Sequence, residues 1–448
     1  MSQKSFSVTV NSKVKPFNKT INVDSDKSIS IRSFLIGAIA HNVSVAKNVL
    51  ESEDVLSTIM SLRKLGVKIN KTGNKQFLIY GKGLGSLRIK KNSTLNFGNS
   101  GTLARLLIGI LSTTPNIEVN VKGDSSLNKR SMKKLIELMS EFGAQFLPKR
   151  KINFPLKIIS STMPIRITYK AGVSAQLKSA VILAGLNTLG VTKIIEKSFS
   201  RNHTENILFK NNNAIKINGN RKKIIEVIGG KKLNPLKINV PGDPSSAAFF
   251  SALTLMNNDS KLKIKNVGLN PTRTGFYKLL KKYGAKINFK NLKKENNEVR
   301  GDIYISSSKI KPIRGTKEYY VNSTDEYPIL FVIAALTKGT SVFKGIKNLA
   351  NKESNRIKEM QKILKQLNVK SLYTKDKIKI FGKGLFNAEK KTILVPMLGD
   401  HRICMSSFIL SILTGAKTKI KNFETVNTSS PSFLKTMKLL GANFEIQK

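Results

Sequence analysis

The chain has 448 residues, 40% of them hydrophobic and 23% charged, values of an ordinary globular protein that exclude an intrinsically disordered chain; no stretch is apolar enough to span a bilayer. Its length exceeds what a single core usually serves, so two domains are expected. Lysine and arginine number 78 against 27 acidic residues, a net charge of +51, which calls for an anionic partner without choosing among nucleic acid, membrane and small molecule.

The first residues, MSQKSFSVTV, carry no basic segment followed by a long apolar run, so a cytoplasmic protein is expected. From there the chain repeats itself. A polar, turn-forming start leads into a very apolar helix, and further on a second helical pattern ends in Gly or Asn, a small apolar residue and a strand. The first copy runs from Ser25-Asp26-Lys27-Ser28 to Leu65-Gly66-Val67, the second from Gly98-Asn99-Ser100-Gly101-Thr102 to Phe142-Gly143-Ala144, and the third from Gly172-Val173-Ser174-Ala175-Gln176 to Asn212-Asn213-Ala214-Ile215. The fourth begins at Gly242-Asp243-Pro244-Ser245-Ser246 and reaches Tyr283-Gly284-Ala285. The fifth joins Ser323-Thr324-Asp325-Glu326 to Leu367-Asn368-Val369, and the sixth Gly399-Asp400-His401-Arg402 to Leu440-Gly441-Ala442.

A spacing of roughly 70 to 84 residues suits a small mixed α/β unit rather than a solenoid repeat. Ser, Thr and Asp at the starts predict capped N-termini, and Gly or Asn at the ends predicts a left-handed C′ residue. Copies one and four share local sequence, Ile21-Asn22-Val23 with Asp26 and Ser28 against Ile238-Asn239-Val240 with Asp243 and Ser245. The chain therefore reads as a duplication of three units, with a break near Val240-Pro241. Six buried helix starts could aim free N–H groups at phosphates and carboxylates. Capping alone also explains the small polar residues, but Lys27, Arg32, Arg105 and Arg402 near the same starts are not capping residues.

Cys404 is the single cysteine and excludes an internal disulfide; in its apolar run it reads as a small buried hydrophobe. His41, His203 and His401 lack ligand spacing, so no metal and no other cofactor is expected. Tryptophan is absent and no segment interleaves arginine with aromatics, which argues against a specific nucleic-acid partner. Non-specific adhesion to polyanions at low salt is expected regardless.

Ten segments together carry a resemblance. They are Asp26-Lys27-Ser28-Ile29-Ser30-Ile31-Arg32, Gly98 to Thr102, Gly123-Asp124 through Lys129-Arg130, Ser174-Ala175-Gln176-Leu177-Lys178-Ser179-Ala180, Arg201-Asn202-His203-Thr204-Glu205, Pro241 to Ser246, Asn270-Pro271-Thr272-Arg273-Thr274-Gly275, Asp325-Glu326-Tyr327-Pro328, Lys352-Glu353-Ser354-Asn355-Arg356 and Asp400-His401-Arg402. In this order the chain resembles the 5-enolpyruvylshikimate-3-phosphate synthase family from about Asp26 to Pro431. The resemblance implies an α/β protein of two globular domains, each of three βαβαββ repeats with buried parallel helices, an inside-out α/β barrel that closes on substrates between the domains. Residues 1–22 with 241–448 would form one domain and 23–240 the other.

It also implies a reaction and its residues. The substrates would be phosphoenolpyruvate and shikimate 3-phosphate, each with a phosphate and a carboxylate, which suits arginine. Lys27, Gly101, Arg130, Lys352, Arg356 and Arg402 would hold phosphoenolpyruvate. Lys27, Ser28, Arg32, Ser174, Ala175, Gln176, Arg201, Asp325 and Lys352 would hold shikimate 3-phosphate. Asp325 would act as base on the 5-hydroxyl and Glu353 would move the C3 proton, with Lys27 completing the catalytic set. In forms of the family tolerant of the herbicide glyphosate, alanine often stands where this chain has Gly101, so sensitivity is expected. A monomer with no membrane partner is expected. Ser25, Ser131, Asn355 and Ser430 stand where the family usually has Gly, Pro, Asp and Phe, and Asn355 removes a charge between Glu353 and Arg356. The sister transferase acting on a UDP-sugar shares the six-repeat frame, but it normally carries a mobile-loop cysteine in its first domain and matches these segments less well.

Overall fold

A computed structural model describes residues 5–211, 213–219 and 223–447. Six central helices carry the cores: Lys27–Ile39, Gly101–Thr113, Ala175–Gly185, Pro244–Met256, Tyr327–Ala335 and His401–Thr414. In the last three every residue is buried, as a helix that is apolar on all faces requires. The unpaired N–H and C=O groups at the ends of so buried a helix need partners, and the protein supplies most of them.

At the N-terminal ends, five of the six expected starts supply a side-chain cap. Asp26 accepts from Ile29 N, Ser100 from Leu103 N, Ser174 from Leu177 N, Asp243 from Ser245 N and Asp400 from Arg402 N. The fifth helix corrects the expectation. Asp325 lies in a 3-10 turn, Thr324–Glu326, and Glu326 at the N-cap position makes no side-chain cap; its carboxylate takes the Ser245 hydroxyl instead.

At the C-terminal ends the backbone itself is the partner. Lys82 N donates to Ala38 O, Ser161 N to Ser112 O, Gly230 N to Leu186 O, Ser308 N to Leu255 O, Lys383 N to Ala335 O and Val14 N to Ile412 O, all at 2.9–3.2 Å. Every donor follows the third strand of a four-stranded sheet, and the described strands form six such sheets. Each opens with a parallel edge pair, for example Thr94–Asn96 beside Glu118–Lys122, and its third strand returns antiparallel, as Leu156–Ile159 does. In four of these sheets a central helix lies between the two parallel strands in the chain, the crossover that parallel pairing needs.

By Cα proximity the described chain falls into two compact units, one within Met1–Asp24, Pro241–Lys294 and Val299–Lys448, the other Ser25–Val240 with Glu295–Glu298. Each has one apolar core and three sheets. The break expected at 22/23 falls at 24/25 because buried Asp24 bonds Ser430 Oγ, Ser432 N and Ser432 Oγ, so the Ser430 that departs from the family's Phe has a partner. Residues 295–298 were expected with the C-terminal part. They cluster with 25–240 instead, where Glu298 accepts from His203 Nδ1 at 2.7 Å and Asn206 Nδ2 at 2.9 Å.

The strands preceding the matched first and fourth helices are exchanged. Asn18–Asn22 pairs in parallel with Lys261–Gly268, whereas Lys237–Asn239 pairs with Val43–Lys47. The strand Ser7–Val10 is the third strand of the sixth repeat, between Lys417–Ile420 and Phe444–Gln447. At the repeat ends, Gly66, Gly143, Gly284, Asn368 and Gly441 have φ of 82°, 96°, 100°, 56° and 90°, the left-handed C′ residues the pattern predicts. Asn212 lies outside the described residues.

A second glycine series was not read from the sequence. A Cβ on Gly81 would lie 2.2 Å from Ala40 O, on Gly229 1.6 Å from Thr188 O, and on Gly382 1.9 Å from Thr337 O. These glycines let the capping backbone reach the helix end. Gly229→Ala should therefore lower unfolding stability by about 1–3 kcal/mol or more, whereas Gly172→Ala, whose Cβ would meet nothing within 4 Å, should change it little. Urea denaturation of the two variants checks this, and equal midpoints would show that the close approach relaxes freely.

Candidate functional site

In each unit some of the expected residues stand at the N-terminal ends of central helices and others in the loops and short helices. In the unit built on 25–240, Lys27 is the first residue of its helix, and its ammonium pairs with Asp54 at 2.9 Å, an acid that sequence reasoning did not single out. One turn on, Arg32 is 3% exposed. Its Nη1 donates to Ser28 O at 3.0 Å, Nε to Thr204 Oγ1 at 2.9 Å and Nη2 to Ser179 Oγ at 3.2 Å. Ser174 caps the third helix, Ala175 opens it and Gln176 follows, so for Ser174 the capping role and any ligand role share one hydroxyl. Arg201 is half-buried in the loop before the helix His203–Leu208.

Gly101 opens the second helix beside two cations. Arg130 ends the short helix Ser125–Lys129 and bonds Asn99 and Ser126. Arg105, a cation near this helix start to which the resemblance gives no substrate role, donates from Nη1 to Gly101 O at 3.1 Å and to Gln176 Oε1 at 2.9 Å, and Gln176 Nε2 bonds Thr102. Its spacing of four from Gly101 was the available signal, since that places it over the helix's first turn. Ser131, in place of the family's Pro, accepts from Lys133 N.

In the other unit one guanidinium organises the set. Arg356 opens the helix Arg356–Gln366 and is 1% exposed. Its Nε donates to Asp400 Oδ2 at 2.9 Å, and Nη2 donates to Glu353 Oε2 at 2.6 Å and to Asp400 Oδ1 at 3.3 Å. Its Nη1 lies 3.6 Å from Asp325 Oδ1, a Coulombic contact too long for a hydrogen bond. Burial acts to neutralise the guanidinium, but Asp400, Glu353 and Asp325 outweigh it and hold the proton more tightly than usual. Asn355 caps this helix by accepting from Lys358 N at 3.1 Å. Since Asn and Asp cap equally well, the lost charge leaves the helix start intact.

Asp400 also accepts from Ser354 Oγ and caps the sixth helix, which presents Arg402. Arg402 is 4% exposed, its guanidinium carbon lies 5.8 Å from the Phe249 ring centre, and its Nε and Nη1 are buried with no hydrogen-bond partner among the described residues. Lys352 is half-buried just after the turn Lys347–Asn351. Burial pushes the Cys404 thiol up, as suits the inert packing residue expected. Among the described residues no cluster of three or more His, Cys, Asp or Glu is placed to hold a metal.

The carboxylate of Asp400 is thus a cap and the main counter-charge of a buried cation at once. Asp400→Asn retains the shape and the cap acceptor but removes the charge. Because leaving one member of a buried pair uncompensated costs about 3–5 kcal/mol, this variant should be destabilised by about that much. A change under about 1 kcal/mol in urea unfolding would show that Glu353 and Asp325 suffice.

Comparison with known proteins joins these residues to a family. The family model described as EPSP synthase (3-phosphoshikimate 1-carboxyvinyltransferase) matches residues 11–437. The 3-phosphoshikimate 1-carboxyvinyltransferase of Bacillus cytotoxicus is 40% identical over 421 residues, covering 94% of this chain and 97% of the relative, and that of Paramagnetospirillum magneticum 36% over 423 residues, covering 94% of each. The solved EPSP synthase of Acinetobacter baumannii superposes with a TM-score of 0.83 at 34% identity, covering 99% of this chain and 100% of its own. The enolpyruvyl transferase NikO of Streptomyces tendae, at 12% identity, 99% coverage of both chains and a TM-score of 0.77, shares the fold. On this evidence the chain belongs to the EPSP synthase family, the 3-phosphoshikimate 1-carboxyvinyltransferases.

Proposed function

We propose that this enzyme transfers the enolpyruvyl group of phosphoenolpyruvate to the 5-hydroxyl of shikimate 3-phosphate and releases phosphate, with the residues of the two units in the following roles. Arg130, Arg356, Arg402, Lys27 and Lys352 bind the phosphate and carboxylate of phosphoenolpyruvate, against the bare Cα of Gly101. Ser28, Arg32, Ser174, Ala175, Gln176, Arg201 and Asp325, with Lys27 and Lys352, bind shikimate 3-phosphate. The observation that carries the reading is Arg402. A guanidinium 4% exposed, with Nε and Nη1 unpartnered among the described residues, is costly unless an anion completes it, and Arg356 Nη1 makes no hydrogen bond among the described residues, lying 3.6 Å from Asp325.

The chemistry is addition followed by elimination. The 5-hydroxyl adds to C2 of the enol while a proton reaches C3, and the tetrahedral intermediate then expels phosphate. Asp325 takes the hydroxyl proton; its place in a turn, free of capping duty, supports this. Glu353 moves the C3 proton. Its carboxylate lies 2.6 Å from Arg356 Nη2, which holds it in one orientation. We place the enzyme in the cytoplasm as a monomer; among the described residues no helix is long and apolar enough to cross a membrane.

Glu353→Gln and Asp325→Asn should each lower turnover by about 100-fold or more. Both should retain the rise in melting temperature that shikimate 3-phosphate gives the unaltered enzyme. Phosphate release and thermal shift measure the two properties; near-normal turnover in both variants would remove the acid/base assignment, and a shift by UDP-N-acetylglucosamine in place of shikimate 3-phosphate would favour the sister reaction.

Gly101→Ala tests the other half. A methyl there would stand 2.7 Å from Arg105 Nη1 and 3.2 Å from Arg130 Nη1, crowding the cations at the position assigned to phosphoenolpyruvate. Glyphosate, slightly longer than the substrate, should inhibit the unaltered enzyme competitively with phosphoenolpyruvate and lose about 10-fold or more in the variant, more than the substrate loses. An unchanged ratio of the two affinities would show that Gly101 does not face the enol.

A further inference from the structure

The motif Ser174–Ala180 contains a charged residue that the substrate roles leave unused. Lys178, on the third central helix, has 0% exposure, and its ammonium lies 2.9 Å from Glu196 Oε1 and 2.8 Å from Glu205 Oε1, both acids equally buried. Burial works against its charge, but Glu205 and Glu196 more than restore it, and the Glu205 carboxyl is held below its ordinary value once Lys178 and, at 3.7 Å, Lys223 have overcome its own burial. A dry ion cluster of this kind is weak evidence for stability, since well-packed apolar residues often serve as well or better. What it can supply is fixed geometry.

Two arms lead from it. Glu196 Oε1 accepts from Ser200 N at 2.8 Å and Ser200 Oγ at 2.6 Å, and Lys178 Nζ reaches Ser200 O at 3.4 Å. Ser200 is thus held at its N–H, hydroxyl and carbonyl, and the next residue is Arg201. Along the other arm, Ser179 follows Lys178 and Thr204 precedes Glu205. Thr204 Oγ1 donates to Ser179 Oγ at 2.8 Å, and these two oxygens accept Arg32 Nε and Nη2. The Lys178–Glu205 pair therefore ties the helix Ala175–Gly185 to the helix His203–Leu208 one residue away from where both grip Arg32.

We propose that the Lys178–Glu196–Glu205 cluster is the common seat of Arg32 and Arg201, setting both guanidinium groups for the anionic groups of shikimate 3-phosphate. Its members touch no substrate and are positioning residues. The proposal rests on the assignment of Arg32 and Arg201 to that substrate.

The test is steady-state kinetics with each substrate varied in turn, alongside melting temperatures. Lys178→Met should raise the KM for shikimate 3-phosphate about 10-fold or more while the KM for phosphoenolpyruvate stays within about twofold. Ser200→Ala and Ser179→Ala, which leave the ion cluster intact, should each raise the same KM about threefold and decide the matter if Lys178→Met does not fold. Arg32→Ala and Arg201→Ala are the controls. If they leave the KM for shikimate 3-phosphate unchanged, the arginine assignment falls and the cluster's role with it. If they raise it while folded Lys178→Met, or both serine variants, lower only the melting temperature or move both KM values equally, the assignment stands and the cluster is merely structural.

Discussion

The constraint on which this structure depends is that a helix buried on every side must find partners for its polar ends within the protein. The chain meets that need six times with two devices. A short polar side chain caps the first turn of five of the helices, and the peptide backbone leaving the third strand of a sheet closes the last turn of all six. The second device ties each helix to its own four-stranded sheet, and at three of the six ends it requires the glycines Gly81, Gly229 and Gly382 where the strand crosses the helix end. Helix N-termini then become the places where polar and charged side chains can sit against an otherwise apolar core.

Function follows from how the capping duty is shared. Where Asp or Ser caps the helix, the neighbouring residues Lys27, Gly101, Gln176 and Arg402 are released from it. Asp400 shows two duties merged, since one carboxylate ends a helix and neutralises Arg356. In the fifth repeat the duty is dropped. Glu326 bonds Ser245, and Asp325 is left in a turn near the Arg356 guanidinium, with its side chain 23% exposed.

Much of this was legible in the sequence because it is local. Capping residues, C′ glycines and apolar runs are short-range signals, and six repetitions made them hard to mistake. The residues Asp26, Ser100, Ser174, Asp243 and Asp400 all do what their position suggests. What was not legible depends on distant partners. Gly81, Gly229 and Gly382 look like ordinary strand-end glycines until the carbonyl they must pass is known. Lys178 sits among apolar residues and acquires its meaning only beside Glu196 and Glu205, 18 and 27 positions away. The exact limit near Asp24 escaped for the same reason, because its partners Ser430 and Ser432 lie over 400 residues further on.

The exchanged strands bear on how the chain is made. Residues 25–240 contain almost everything their own core needs, so that unit can assemble while the ribosome is still synthesising the rest. The segment from Ser7 to Asn22 cannot: Asn18–Asn22 waits for Lys261–Gly268, and Ser7–Val10 waits for Lys417–Ile420 and Phe444–Gln447, the latter until nearly the last residue has emerged. Until its partner appears, each is an unpaired strand open to any other. Lys13, Lys15 and Lys19 place positive charge along this waiting segment, which discourages its pairing with a neighbouring copy in a polysome. The unit that carries Asp325, Glu353 and Arg402 is thus completed last, by the part of the chain that was made first.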